Sequence, residues 1–124
     1  ADFDHEGRTD LIITQNGAKP KLYLNQAKRR GLRVKLQGAA GNRLGIGAQI
    51  SLDFNPNSGP SRIVRLGSGY LSQNSTTQIM GGAGKAIAVR VAWPSGETER
   101  YELAPGQAEI TGVKGQGKPW PPAR

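Results

Sequence analysis

Apolar and polar side chains alternate along much of the chain, and a period of two predicts β-strands rather than helices. Leu32, Val34 and Leu36 alternate with basic and polar residues. This is the pattern of an antiparallel strand with one face in the core and the other in solvent. The segment 50–54 repeats it, with Ile50, Leu52 and Phe54 on one face.

The most apolar stripe is formed by Ile87, Val89, Val91 and Trp93, and alanines dominate the opposite face of the same segment. A strand with large apolar side chains on one face and small ones on the other can be covered on both faces, so this pattern predicts the centre of a sheet. Further strands are expected at 21–25, 61–66, 76–80, 97–103 and 107–113. About eight short strands separated by Gly- and Pro-rich turns predict an all-β fold, a small antiparallel β-sandwich or open barrel with an N-terminal extended strand segment.

The ends of the chain differ from its middle. Leu11, Ile12 and Ile13 are apolar at consecutive positions, which indicates a strand covered on both faces. Residues 115–124 show no alternation and contain three prolines, so they are expected to form a Pro-rich extended tail or linker. The predicted organisation is an N-terminal segment at 1–30 that ends in a basic linker, a β domain at 31–114 and a tail at 115–124.

Length and composition narrow the classes of protein. A chain of 124 residues fits one domain with a single core. The absence of cysteine excludes a disulfide framework, a thiolate metal site and a cysteine nucleophile. The apolar runs are far shorter than the ~20 residues that span a bilayer, so no membrane span is expected.

The net charge of +8 is unevenly distributed. Four of the nine acidic residues lie in the first ten positions, whereas residues 11–96 hold twelve Lys and Arg and a single acid, Asp53. An acidic tip on a basic body is compatible with nucleic acid, anionic glycans or an acidic neighbouring subunit as partner.

The acidic residues of the N-terminal loop have the spacing of a calcium-binding loop. Alternate side chains of a tight loop converge on one point when a glycine, here Gly7, permits the sharp turn, and calcium takes six to eight oxygen ligands. The predicted ligands are the carboxylates of Asp2, Asp4, Glu6 and Asp10 and the backbone carbonyl of Arg8. Phe3 is expected to point into the core and His5 outward. The alternative is an acidic surface turn in which Asp10 caps a strand.

This loop and the strand after it resemble the calcium loop and inner strand of FG-GAP (VCBS-type) β-propeller repeats. Three later segments resemble, in order and spacing, the signatures of the ASPIC/UnbV domain: 42–48 (NRLGIGA), 67–73 (GSGYLSQ) and 91–96 (VAWPSG). The resemblance covers about residues 31–113. In the cartilage acidic protein (CRTAC) family this domain follows an FG-GAP propeller, which implies that residues 1–25 are the remnant of the last propeller repeat and that the protein is extracellular or secreted.

The residue types of these three segments indicate a structural role, in turns, strand ends and the core, rather than ligand binding. Glycines at 45, 47, 67 and 69 suit turns with positive φ. The ring of Tyr70 is expected in the core, and Pro94 ends the central strand. Arg43 and Gln73 are the members expected to hydrogen-bond turn carbonyls.

The residue types do not favour an enzyme. His5 is the only histidine and lies in the acidic loop, so no Ser-His-Asp or Cys-His arrangement is available elsewhere. The glutamates at 97, 99, 102 and 109 alternate with basic and polar residues, which predicts a solvated face rather than a carboxyl in an apolar pocket.

A basic cluster joins the two parts of the chain and consists of Lys28, Arg29, Arg30, Arg33 and Lys35. It is either a solvated linker or a contact surface for polyanions such as acidic glycans. Nucleic acid is the least expected partner, because the few aromatic residues are mostly placed as core.

An apolar strand that lacks its neighbours is a template for pairing with another chain. The charge asymmetry adds complementarity, and a head-to-tail contact that does not close generates a filament. We therefore expect a non-catalytic structural or adhesive module that forms a homo-oligomer or filament by strand donation through Leu11, Ile12 and Ile13, with calcium tuning the assembly. The alternative is a polyanion- or glycan-binding module.

Overall fold

The structure, a computed structural model, describes residues 1–82 and 84–121, and this part of the chain contains ten β-strands and no helix. The strands are β1 Leu11–Gln15, β2 Ala18–Tyr23, β3 Leu32–Gln37, β4 Gln49–Asp53, β5 Ser58–Ile63, β6 Gln78–Met80, β7 Ala88–Ala92, β8 Thr98–Glu102, β9 Glu109–Val113 and β10 Lys118–Pro119. They form three sheets, none of which closes into a barrel. The predicted all-β class is confirmed.

The two larger sheets differ in the direction of their pairings. The five-stranded sheet, in the order β10-β8-β7-β4-β5, is antiparallel throughout, and β7 is its central strand as predicted. In the three-stranded sheet, β3 lies between β6 and β9 and pairs antiparallel with β6 but parallel with β9. The alternating pattern of β3 correctly predicted its buried face, whereas the expected antiparallel pairing holds for β6 and is wrong for β9, because alternation does not record the direction of a neighbour.

The core lies between these two sheets. Alternation brings every second side chain of each strand to the inner face, where burial of one aliphatic side chain contributes about 1.5–3 kcal/mol. The buried cluster draws on both sheets and contains Leu32, Val34, Leu36, Ala48, Ile50, Leu52, Val64, Met80, Val89, Val91, Trp93 and Tyr101.

The turn before β4 shows why its glycine is needed. Gly45 has φ +64°, and a Cβ there would lie 2.9 Å from Leu36. The side chain of Asn42 closes the turn, because it accepts a hydrogen bond from the Ile46 N–H and donates one to the Ile46 carbonyl, both at 2.8 Å. The hydrogen bond from a side chain to a turn carbonyl, which was expected from Arg43, is thus made by Asn42. Arg43 is exposed.

Three residues expected in the core are exposed instead. Tyr70 is 93% exposed, because it lies at the tip of a loop whose only bridge joins Gly69 to Ser72, so no sheet covers it. Phe3 is 47% exposed. Ile87 is 41% exposed, because it precedes the first residue of β7 at an open end of the sandwich.

The expectation of a solvated glutamate face is wrong for Glu99. It is buried and shares the inner face of β8 with Tyr101, whose hydroxyl it contacts. Its carboxylate also accepts a hydrogen bond from the Gly115 N–H at 2.8 Å. Glu99 therefore helps to hold the start of the C-terminal segment.

That segment joins the five-stranded sheet. After β10, the Trp120 N–H donates to the Thr98 carbonyl at 2.8 Å. The indole ring lies 5.8 Å from the guanidinium of Arg90 and 5.6 Å from that of Arg100, so both contacts are of the cation–π type. Residues 122–124, the end of the expected Pro-rich tail, lie outside the described residues. In the part described, no helix is long and apolar enough to cross a membrane.

Candidate metal centre and exposed hairpin

The acidic loop is closed by backbone hydrogen bonds and docks on the start of β3. The Asp10 N–H donates to the Ala1 carbonyl at 2.6 Å, and the Gly31 N–H donates to the Gly7 carbonyl at 2.7 Å. Gly7 has φ +79°, and a Cβ there would lie 2.8 Å from the Gly31 carbonyl oxygen. Glycine is therefore required at this position both for the turn and for the close approach.

Three of the four predicted acidic ligands come together. Asp2, Asp4 and Asp10 each place a carboxylate oxygen within 4.8 Å of the others. Asp10 is held by two backbone donors, the N–H of Phe3 and the N–H of Asn25, each at 2.8 Å. These two hydrogen bonds hold the pKa of Asp10 below its ordinary value.

Asp2 is joined to the sandwich through Arg33. The Arg33 guanidinium lies 2.5 Å from Asp2 and 3.0 Å from Glu109 on β9, while the Gly7 N–H donates to Asp2 at 3.0 Å. Burial opposes ionisation of Asp2, but the hydrogen bonds from Arg33 and Gly7 outweigh it and hold its pKa below the ordinary value. The loop is thus fixed by a buried charge and not only by backbone contacts.

The donor set fits a hard cation. The second carboxylate oxygen of Asp2, Oδ1, is buried and has no hydrogen-bond donor among the described residues. A buried oxygen without a donor costs about 1–3 kcal/mol, and a bound cation would remove that cost. Carboxylate oxygens are the ligands that calcium prefers.

Glu6 does not join the three aspartates. Its carboxylate pairs with the guanidinium of Arg8, which also donates to the Ala27 carbonyl at 3.3 Å. The longer side chain of Glu6 reaches the opposite charge two residues further on, so the cluster contains three carboxylates rather than four.

The hairpin formed by β1 and β2 is exposed on both faces. It is antiparallel, with Leu11 opposite Tyr23 and Ile12 opposite Leu22. Every residue of both strands is exposed, and β1 pairs with no other described strand. The described residues do not cover either face of residues 11–13: Leu11 is 56% exposed, Ile12 48% and Ile13 41%.

The basic cluster divides into two parts. Arg33 and Lys35 face Glu109, at 3.0 Å and 2.9 Å, because the parallel pairing of β3 with β9 brings that acid beside them. Lys28, Arg29 and Arg30 are exposed and make no ion pair with the described residues. The pairing of Glu109 with Arg33 and Lys35 was not predictable from the sequence, because Glu109 lies more than 70 residues from both partners and no local pattern connects them.

The fold and the site together define a two-sheet β module that carries an acidic loop and an exposed apolar hairpin at its N-terminus. The sequence model of the ASPIC and UnbV family matches residues 38–119, more than half of the chain and all three motif segments. The chain belongs to this family. No curated protein and no solved structure matches it.

Proposed function

We propose that this chain is a non-catalytic structural module that associates with further copies of itself by donating β1 to a neighbouring sheet. One observation carries the proposal: β1 presents three consecutive aliphatic residues, each 41–56% exposed, on a strand with a single described neighbour. The proposal extends the family membership, which by itself assigns no activity.

A two-stranded hairpin is at best marginally stable alone in water. A third strand on the free edge of β1 would satisfy its unpaired backbone groups and cover apolar surface on both faces. The exposed Asp4 precedes β1 and the exposed Lys28 to Arg30 follow β2, so in this antiparallel hairpin both charges lie at its base and leave the free edge of β1 to backbone pairing and apolar contact. Donation of β1 to a sheet edge of the next copy joins two different surfaces, so repetition produces a filament.

Calcium is part of the proposal. Asp2, Asp4 and Asp10 would hold the ion, which adds to the single positive charge that Arg33 provides beside these three carboxylates. Because the loop lies between Gly31 and β1, an ion there fixes the direction in which the hairpin leaves the sandwich. An extracellular location is part of the same proposal, because extracellular calcium modules function with Kd of about 10⁻⁴–10⁻³ M and need no tighter site than three carboxylates. The resemblance of residues 1–25 to an FG-GAP repeat of the CRTAC type supports the same conclusion.

Self-association is tested by sedimentation velocity of the 124-residue chain over a concentration series, with electron microscopy for filaments. Ile12→Lys places a charge on the exposed strand and should abolish assembly. Leu44→Lys is the matched control, because Leu44 is 47% exposed but lies outside the hairpin. A chain that stays monomeric at the highest concentration, or equal effects of both variants, contradicts the proposal.

Calcium binding is tested by calorimetry with calcium chloride. Asp4→Asn should weaken binding at least about tenfold, because it removes one of three converging carboxylates without disturbing a buried contact. Glu6→Gln should have little effect, since Glu6 is engaged with Arg8. If Glu6→Gln weakens binding as strongly as Asp4→Asn, the ion occupies a different position in the loop.

A polyanion-binding module is the second candidate, and the exposure of Lys28, Arg29 and Arg30 favours it. Retention on heparin that falls steeply with salt, and that is lost in the double variant Lys28→Ala/Arg29→Ala, would support it. Arg62→Ala, which removes an exposed charge from β5 of the sandwich, is the control. Retention that is unchanged in the double variant would exclude this surface.

A further inference from the structure

A cavity of about 450 Å³ opens between the two large sheets, at the end where β4 finishes and β7 begins. Its floor is formed by core side chains of both sheets, Leu32 and Met80 on one side and Leu52 on the other, all less than 10% exposed. Its volume lies within the range of roughly 300–1,000 Å³ of small-molecule sites. This opening also explains the exposure of Ile87, which lines the cavity wall.

The wall near β4 is built by close packing of an aromatic ring against glycine. Phe54 lines the cavity, and a Cβ on Gly82 would lie 2.3 Å from its ring. A side chain at position 82 would therefore displace the Phe54 ring that forms this wall.

The charges around the cavity are of one sign. Arg30 and Lys85 line it, and no acidic residue does so among the described residues. Neither cation forms an ion pair with the described part of the chain. An apolar interior next to two unneutralised cations is complementary to a molecule with an apolar body and an anionic head.

We propose that this cavity binds a small anionic amphiphile, with its apolar chain between the sheets and its carboxylate, sulfate or phosphate head between Arg30 and Lys85. The cavity adjoins the acidic loop at Gly31 but shares no residue with β1, so this proposal can be tested independently of strand donation. The ligand is a single free molecule rather than a membrane surface, because the apolar part of the site is a cavity between two sheets and not an exposed apolar patch.

Three probes of equal chain length isolate the role of charge: decanoate and decylammonium, used below their micelle concentrations, and decanol, used below its solubility limit. Calorimetry should give the tightest binding for decanoate, about tenfold weaker binding for decanol and the weakest for decylammonium. In ¹H–¹⁵N spectra, decanoate should shift the amides of Gly82, Gly84 and Gly106, which line the cavity. Equal affinity for all three probes, no binding at millimolar concentration, or preference for anionic vesicles over decanoate overturns the proposal.

Variants locate the site. Arg30→Ala and Lys85→Ala should each weaken decanoate binding about three- to tenfold, whereas Arg29→Ala, one residue from Arg30 but outside the cavity, should leave it unchanged. Ala104→Trp fills the rim at an exposed position and should abolish binding in a protein whose circular dichroism is unaltered. If Ala104→Trp abolishes self-association but not decanoate binding, the occupant is a second copy of the chain and the proposal is wrong.

Discussion

The sandwich and the N-terminal hairpin are both made of short strands with many aliphatic residues, but they differ in what covers those residues. In the sandwich, Ile50 is fully buried, because the inner faces of two sheets meet over it. In the hairpin, Ile12 is 48% exposed, because the sheet has only two strands and nothing described packs on either face. The side chains of an apolar strand are therefore buried only when a second sheet packs on them. Without that sheet they remain exposed and available to a partner.

The largest expected effect tests this comparison directly. Ile50→Ala should lower the free energy of unfolding by about 3 kcal/mol, because it leaves a cavity in a closed core. Ile12→Ala should change it by no more than about 0.5 kcal/mol. Urea denaturation followed by the fluorescence of buried Trp93 measures both. Equal losses would mean that the hairpin is packed as tightly as the sandwich, and the comparison would fail.

The next effect concerns the link between the two regions. Arg33→Ala should cost about 2 kcal/mol, because it leaves the buried Asp2 carboxylate without its charged partner. Hydrogen exchange at the amides of Gly7 and Gly31 should accelerate. Lys35→Ala is the control, since Lys35 pairs with the same Glu109 but is 43% exposed, and it should cost less than about 1 kcal/mol. Unchanged exchange in Arg33→Ala would show that the backbone contacts alone dock the loop.

Alkaline pH should weaken the sandwich through Tyr101. Burial, assisted by the contact with Glu99, raises the pKa of this phenol above its ordinary value of 10.0. The stabilisation is therefore complete below pH 10 and is lost as the pH rises further, by at most about 1.4 kcal/mol per pH unit. Unfolding of Tyr101→Phe should lack this slope, while Tyr70→Phe, at a fully exposed ring, should keep it. A slope that survives in Tyr101→Phe would assign it to another group.

The smallest effect is expected at the surface pair of the exposed Glu97 and the half-buried Lys114, 2.9 Å apart. Hydrogen bonds from Lys114 and then Ser95 hold the pKa of Glu97 below its ordinary value of 4.5. Its contribution is present above pH 4.5 and is lost as the pH falls below that value. The difference in Tm between the protein and Glu97→Gln should therefore shrink at low pH and in 1 M salt. A difference that persists under both conditions would indicate a packing effect.

Part of the site was predictable because it depends on local spacing. Asp2, Asp4 and Asp10 converge as expected, since Gly7 permits the sharp turn that brings alternate side chains of a short loop together. Glu6 was not predictable from spacing alone, because the same loop also offers Arg8 as a partner. The three family motifs were recognisable in the same way, and the family match includes all of them.

The sequence by itself determined the all-β class, the central position of β7 and the buried face of β3, because a two-residue period depends only on which side chains share a face. Only the tertiary structure decided the parallel pairing of β3 with β9, the placement of Glu109 beside Arg33 and the cavity below Arg30 and Lys85. These features join segments far apart in the chain, and no local pattern records which distant strand becomes a neighbour. The consecutive apolar residues of β1 predicted burial on both faces, but β2 is its single described neighbour and neither face is covered.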